Sequence, residues 1–166
     1  MIPGTGSAEI RKDMKMNKTR LWIFTIIIAL ILVFIWGNSL LNAETSKALS
    51  DYLRTNILGF LFDEMNANQA SFLVRKLAHF TEYAVYGIEL SLLIVSNWMK
   101  WKTGKIFKRI LICLNMILIT AFIDETIQFF SGRGPAVLDI WIDLAGGALT
   151  TCLVAIGTSA NKRKRT

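Results

Sequence analysis

The sequence has little charge for its length. Only 19% of its 166 residues are charged, whereas 53% are apolar and the mean hydropathy is positive. This composition excludes a disordered chain and argues strongly against an ordinary soluble domain. The length allows one compact unit and is too short for a catalytic domain with a separate membrane anchor.

Cysteine and familiar catalytic motifs are also scarce. Cys113 and Cys152 lie in apolar stretches, where they form neither a disulfide framework nor a zinc-ligand pattern. We expect both to be small buried side chains. The sequence has no H-E-x-x-H motif, nucleophile elbow or P-loop, so no motif indicates one particular reaction.

Four apolar stretches are long enough to span a bilayer, which requires about 20 helical residues. We predict spans over about 21–41, 72–99, 106–130 and 135–157. The first contains no charged residue and is interpreted as an uncleaved signal anchor, because it is too long for the apolar region of a signal peptide. The predicted fold class is therefore an all-α membrane protein, a four-transmembrane-helix bundle.

Lysine and arginine are concentrated in alternate connections. They number five in 1–20, five in 100–109 and four in 158–166, against two in 42–71 and one, Arg133, in 131–134. The positive-inside rule then places both termini and the 100–109 link in the cytoplasm. We expect cytoplasmic basic tails at 1–20 and 158–166 around a membrane domain at 21–157. The net charge of +7 thus indicates membrane topology and lipid partners, not nucleic acid.

The link between the first two spans has a helical pattern. Apolar residues recur at helical spacing between residues 45 and 62, namely Leu49, Tyr52, Leu53, Ile57, Phe60 and Leu61. We predict an extracytoplasmic interfacial helix that lies along the outer membrane surface. The alternative is an amphipathic cover packed on the bundle.

The second span carries a stripe of ionisable residues. On a helix, Arg75, His79, Glu82, Tyr86 and Glu89 fall within a sector of about 80°. A charge at mid-membrane costs about 2.5–3.5 kcal/mol, so this stripe must face other helices or a water-filled cavity.

Further polar residues reach the same depth from the third and fourth spans. The third span runs outwards and ends near Asp124, Glu125 and Gln128, and the fourth begins near Asp139. The outer half of the second span lies at the same level, so we predict one extracytoplasmic-side site. Its candidate catalytic residues are His79, Glu82, Asp124, Glu125 and Asp139, and its candidate substrate-binding residues are Arg75, Lys76, Tyr83, Gln128, Arg133 and the deeper Asp143.

Several functions fit such a site. The basic residues suit the phosphate or carboxylate groups of an envelope precursor. An enzyme acting on a lipid-linked substrate would use the acidic residues and the imidazole for acid–base chemistry, or for a divalent metal ion with candidate ligands His79, Glu82, Asp124 and Glu125. A proton or cation path is a third function, although four spans without a repeat leave little room for alternating access. A salt-bridged polar core is the purely structural interpretation.

Two sequence blocks carry a family resemblance. RKLAHFTEY at 75–83 and DETIQFFSGRGPAVLD at 124–139, followed by Gly146 and Gly147, resemble the VanZ-like family of small membrane proteins, over about residues 21–157. One departure is Asp143, where relatives often carry Asn. The resemblance implies a bacterial cell envelope and an effect on susceptibility to glycopeptide antibiotics of the teicoplanin type. It implies a lipid-linked cell-wall precursor or a glycopeptide-type ligand as partner, but no mechanism and no oligomeric state.

Overall fold

The computed structural model describes residues 18–56, 65–97 and 106–163, and the regular structure in these ranges is entirely helical. The helices are α1 (Lys18–Ser39), α2 (Ala43–Asn56), α3 (Ala67–Asn97), α4 (Ile106–Phe130) and α5 (Val137–Arg163). The predicted all-α class is confirmed. Helix α4 has the bounds of the predicted third span, whereas α5 continues past residue 157 into the predicted tail.

In the described part of the chain, three helices are long and apolar enough to cross a membrane: Lys18–Ser39, Ile106–Phe130 and Val137–Ala160. Helix α1 buries only Ile35 and Ser39 and leaves large apolar side chains exposed along most of its length. Such a surface is foreign to a water-soluble monomer and suits contact with lipid. Helix α3 covers the second predicted span as far as Asn97, and residues 98–99 of that span lie outside the described residues. It is not in this set, because its ionisable residues lower its hydropathy. By length and composition, helices that could cross a membrane thus coincide with three of the four predicted spans.

Helix α3 is central, since it contacts each of the other four helices and contacts α5 most extensively. Glycines make this close approach possible. A Cβ on Gly146 of α5 would collide with the backbone carbonyl oxygen of Phe80, and a Cβ on Gly87 of α3 would lie 2.7 Å from the carbonyl oxygen of Gly147. Small residues at a helix contact let two backbones approach. The result is that the acidic face of α5 meets the polar stripe of α3.

The apolar core adjoins this polar region. It is built on residues of α1, α3 and α4, including Ile35, Tyr83 and Ile117. Cys113 is buried in it, as expected from the sequence. The expectation for Cys152 is wrong, because this side chain is exposed. Helix α5 turns its small residues towards α3, which leaves Cys152 on the outer surface.

Helix α2 is a cover packed on α3. It begins after Asn42, whose side-chain oxygen accepts a hydrogen bond from the Thr45 backbone N–H at 2.8 Å, as an N-cap residue does. Ser46 and Ser50 form its buried face. The Ser71 hydroxyl of α3 donates a hydrogen bond to Asp51 and ties the two helices together. Residues 57–62 of the predicted interfacial segment lie outside the described residues.

Candidate functional site

The polar residues predicted from three separate spans lie together in the structure. His79 of α3 is at the centre, with Nδ1 3.2 Å from Oδ1 of Asp143 and 3.9 Å from Oδ2 of Asp124. All three side chains are buried, and Asp143 has no exposed surface. We call the buried set the polar cluster; its members are Lys76, His79, Asp124, Glu125, Gln128, Asp139 and Asp143.

Asp124 is held by two hydrogen-bond donors from different helices. The Ser39 hydroxyl at the end of α1 donates to Oδ1 at 2.5 Å, and the Gln128 amide donates to Oδ2 at 3.1 Å. The same amide nitrogen lies 3.2 Å from Oε1 of Glu125. A buried carboxylate is tolerated when its oxygens are satisfied in this way. Gln128 therefore fixes the two carboxylates relative to each other.

Lys76 forms an ion pair with Asp139 inside the bundle. Its ammonium nitrogen also lies 4.8 Å from the centre of the Phe72 ring, within the range of a cation–π contact. Both members of the pair are buried. Lys76 was predicted to meet a ligand, but the structure places its charge against α5, so the pair links α3 to the first turn of α5.

Two predicted metal ligands point to other partners. Oε1 of Glu82 accepts a hydrogen bond from the Asn38 side-chain amide at 2.8 Å. Oε2 of Glu125 accepts one from the backbone N–H of Ala136 at 2.7 Å, just before α5 begins. A carboxylate at a helix N-terminus satisfies free N–H groups there. Both glutamates thus position α1 and α5 around the site.

The connection between α4 and α5 places Arg133 above the cluster. Gly132 and Gly134 both have φ of 76°, a left-handed conformation that glycine adopts without steric cost. These two residues reverse the chain tightly after α4. Arg133 between them is half-buried, and its Nη1 donates to the backbone carbonyl of Asn38 at 3.1 Å.

Arg75 and Arg133 line a cavity of about 50 Å³ at the end of the bundle where α2 packs. His79 and Glu82 also line it, and α2 closes it with Ser46, Leu49, Ser50 and Leu53. Within the part of the chain that the structure describes, neither arginine forms an ion pair. Burial and the neighbouring guanidinium of Arg75 lower the pKa of Arg133. The cavity therefore presents two partly buried cations without a paired carboxylate.

An apolar groove begins at the same place. It has a volume of about 400 Å³ and runs between α1 and α3. Its lining includes Leu30, Ile31 and Phe34 of α1 and Val85 of α3. Glu82 lines both the groove and the cavity. The cavity and the groove are therefore neighbours that share the Glu82 side chain.

Tyr83 was predicted to bind substrate, and the structure places it in the apolar core. Its side chain is completely buried and packs edge-to-face on Tyr86, with ring centres 6.3 Å apart. Its hydroxyl has no hydrogen-bond partner among the described residues. Tyr83 therefore supports the helices under the site and does not line the cavity.

Two contributors to the site were missed from the sequence. Asn38 binds Glu82 through its side chain and Arg133 through its carbonyl group, and Ser39 binds Asp124. Both lie at the C-terminal end of α1, which was interpreted from the sequence only as a charge-free signal anchor. The signal that would have found them is a polar Asn-Ser pair at the outer end of an otherwise apolar span.

Comparison with known protein families shows which family the chain belongs to. The VanZ/LLP1 family profile matches residues 22–157, which include every residue of the polar cluster and both cavity arginines. The chain belongs to the VanZ/LLP1 family. No curated protein and no solved structure matches it significantly. The VanZ resemblance predicted from the two sequence blocks is thus confirmed, over nearly the predicted range.

Proposed function

We propose that this VanZ-family protein binds the anionic head group of a cell-envelope amphiphile on the extracytoplasmic side of the bacterial cytoplasmic membrane. One observation carries the proposal: Arg75 and Arg133 line the same cavity, and neither forms an ion pair with a described carboxylate, although Glu82 also lines the cavity. Two adjacent, partly desolvated guanidinium groups repel each other and attract an anion. Phosphate and carboxylate groups match the planar guanidinium fork and accept paired hydrogen bonds from it.

Helix α3 also spans the membrane in this proposal, in addition to the three apolar helices. Its 31 residues extend about 46 Å at 1.5 Å per residue, longer than a hydrocarbon layer of about 30 Å. Lys76 and His79 are buried against the other helices, whereas Leu77, Val85 and Ile88 are exposed on the opposite side. This arrangement meets the requirement that charged groups in a span face the bundle interior.

The distribution of basic residues gives the orientation. With both termini and the 100–109 link in the cytoplasm, the α4–α5 turn and α2 lie outside. The cavity between them then opens near the extracytoplasmic face. A ligand arriving from the envelope reaches the arginines without crossing the membrane.

The groove between α1 and α3 favours an amphiphile over a small free anion. Glu82 lines both the groove and the cavity, so the two lie side by side, and a head group in the cavity would leave an attached chain near the groove. Each methylene group removed from water contributes about 0.8 kcal/mol. A polyprenyl phosphate or another lipid-linked cell-wall precursor has the required charge and chain.

Binding of a radiolabelled polyprenyl phosphate to the purified protein in a non-ionic detergent tests the proposal. We expect Arg75→Ala and Arg133→Ala each to weaken binding by about tenfold or more, because each removes a charged donor from a partly buried site. Arg54→Ala is the matched control, since Arg54 lies on α2 beside Asp51 and does not line the cavity. Folded arginine variants that bind like the control would contradict the proposal.

The effect on antibiotics is a separate part of the proposal. If the protein retains an envelope component at this site, less of that component is available at the cell surface to a glycopeptide of the teicoplanin type. We expect expression of the chain in a susceptible host to change the inhibitory concentration of such a drug, and Arg75→Ala to abolish the change. An equal effect from the Arg75→Ala variant would show that susceptibility does not depend on this site.

A second candidate function is hydrolysis of a phosphate ester in the same ligand, and the contact of His79 with Asp143 favours it. With Nδ1 at 3.2 Å from the carboxylate, Nε2 is the nitrogen available to a group in the cavity. A carboxylate that orients a histidine supports general acid–base catalysis. Release of inorganic phosphate from polyprenyl phosphate, in which water cleaves the phosphate ester and leaves the free polyprenol, is the test. We expect His79→Gln to abolish release and Arg54→Ala to retain it; binding without turnover would contradict this second function alone.

A further inference from the structure

We infer that His79, Asp124 and Asp143 form a binding site for a divalent transition-metal ion, with Zn²⁺ and Mn²⁺ as the ions that suit these donors. The site lies beside the cavity and belongs to three helices, α3, α4 and α5. The metal site includes neither Arg75 nor Arg133, so metal binding can be tested separately from anion binding.

The donor atoms have the spacing of a metal centre. One nitrogen or oxygen from each of the three residues lies within 4.8 Å of the others, and the two contacts of His79 measure 3.2 and 3.9 Å. Ligand atoms at about 2.1 Å from one ion are separated by roughly 3–4 Å, so only small movements are needed. One imidazole and two carboxylates suit zinc or manganese and leave positions open for water or a ligand oxygen.

Asp143 supplies an independent indication that a ligand is missing. Its side chain is fully buried, and Oδ2 has no hydrogen-bond partner among the described residues. Asp139 has Lys76, and both oxygens of Asp124 accept hydrogen bonds. A buried carboxylate oxygen is seldom left without a partner, because its desolvation is then uncompensated. A divalent cation would satisfy this oxygen and neutralise the two carboxylates.

The surroundings have the features of a supporting shell. Ser39 and Gln128 donate hydrogen bonds to Asp124 and hold it facing His79. Hydrogen bonds of this kind orient metal ligands and are needed for affinity. His79 lines the cavity, which gives an ion a route to the site from the outer end of the bundle.

Titration of the purified, metal-stripped full-length protein with Mn²⁺ alone tests the inference. We expect one ion per chain, and pulsed electron paramagnetic resonance should show ¹⁴N coupling from the His79 imidazole. Asp143→Asn should weaken binding by about tenfold or more, since it removes an anionic ligand of nearly the same shape. Glu89→Gln is the matched control, because Glu89 is a partly buried carboxylate on α3 that is not one of the three proposed ligands.

With the unsubstituted protein, either of two results would overturn the inference: absence of stoichiometric binding of both Mn²⁺ and Zn²⁺, or bound Mn²⁺ without nitrogen coupling. Unchanged affinity in a folded Asp143→Asn variant would overturn it as well. If that variant does not fold, the nitrogen coupling of the unsubstituted protein still decides the question. Arg75→Ala should keep its metal while losing polyprenyl phosphate, which separates a failure of this inference from a failure of the proposed function.

Discussion

The contact between α3 and α5 makes the substitution Gly146→Ala a sharp test of the structure. The added methyl group would collide with the carbonyl oxygen of Phe80 and lie 3.3 Å from the backbone nitrogen of Ala84. Both neighbours are backbone atoms of a helix, so neither can rotate away as the tip of a side chain can. The two helices must therefore separate.

The expected cost follows from two opposing contributions. Overpacking costs about 1–3 kcal/mol, and a clash with backbone belongs near the upper value. Replacing glycine with alanine in a helix contributes about 1 kcal/mol of stability in return. We expect Gly146→Ala to lower the free energy of unfolding by about 2 kcal/mol. Gly157→Ala should raise it by about 1 kcal/mol, because a Cβ at Gly157 meets nothing within 4 Å.

Reversible unfolding in mixed detergent micelles, followed by circular dichroism, measures both variants under one set of conditions. Separation of α5 from α3 should also lengthen the contact of His79 with Asp143 and weaken Mn²⁺ binding in Gly146→Ala alone. Equal stability of Gly146→Ala and Gly157→Ala would refute the close packing of α3 on α5.

Two further predictions concern single hydroxyl groups. Ser39→Ala should lower the free energy of unfolding by about 1–3 kcal/mol in the same assay, because a buried hydrogen bond to the Asp124 carboxylate is lost; no loss would show that α1 is not anchored there. Tyr86→Phe should cost about 1 kcal/mol, because its hydroxyl accepts a hydrogen bond from Thr120 at 3.3 Å. Tyr83→Phe should cost nothing, because its hydroxyl has no partner among the described residues; the reverse order would contradict the structure.

The sequence predicted the polar cluster well because the membrane imposes a strict rule on charge. Residues such as His79 and Asp124 cannot face lipid, so helical periodicity alone turns them inwards. The direction in which each span is predicted to cross the membrane then predicts the depth of these residues. Helix bounds followed from the same apolar runs, as the agreement at 106–130 shows.

The pairing of individual side chains could not be predicted from the sequence. The sequence places Lys76, His79 and Asp139 at about the same level, but only helix rotation and spacing decide that Lys76 meets Asp139 while Asp143 meets His79. Asp143 was expected to lie deeper than the site. The contribution of Ser39 was missed because a single hydroxyl in an apolar span has no periodic signal.

Accessibility of α2 from outside the cell, with and without ligand, tests the central claim most directly. Leu49 lines the cavity and is 43% exposed, whereas its neighbour Ala48 is exposed but does not line it. Each position is changed to cysteine in a chain carrying Cys152→Ser, and intact cells are treated with a membrane-impermeant maleimide. We expect labelling at both positions, with decyl phosphate slowing the reaction at position 49 only and decyltrimethylammonium slowing neither. Labelling only after permeabilisation, or equal rates with and without decyl phosphate, would contradict an anion-binding site on the outer side.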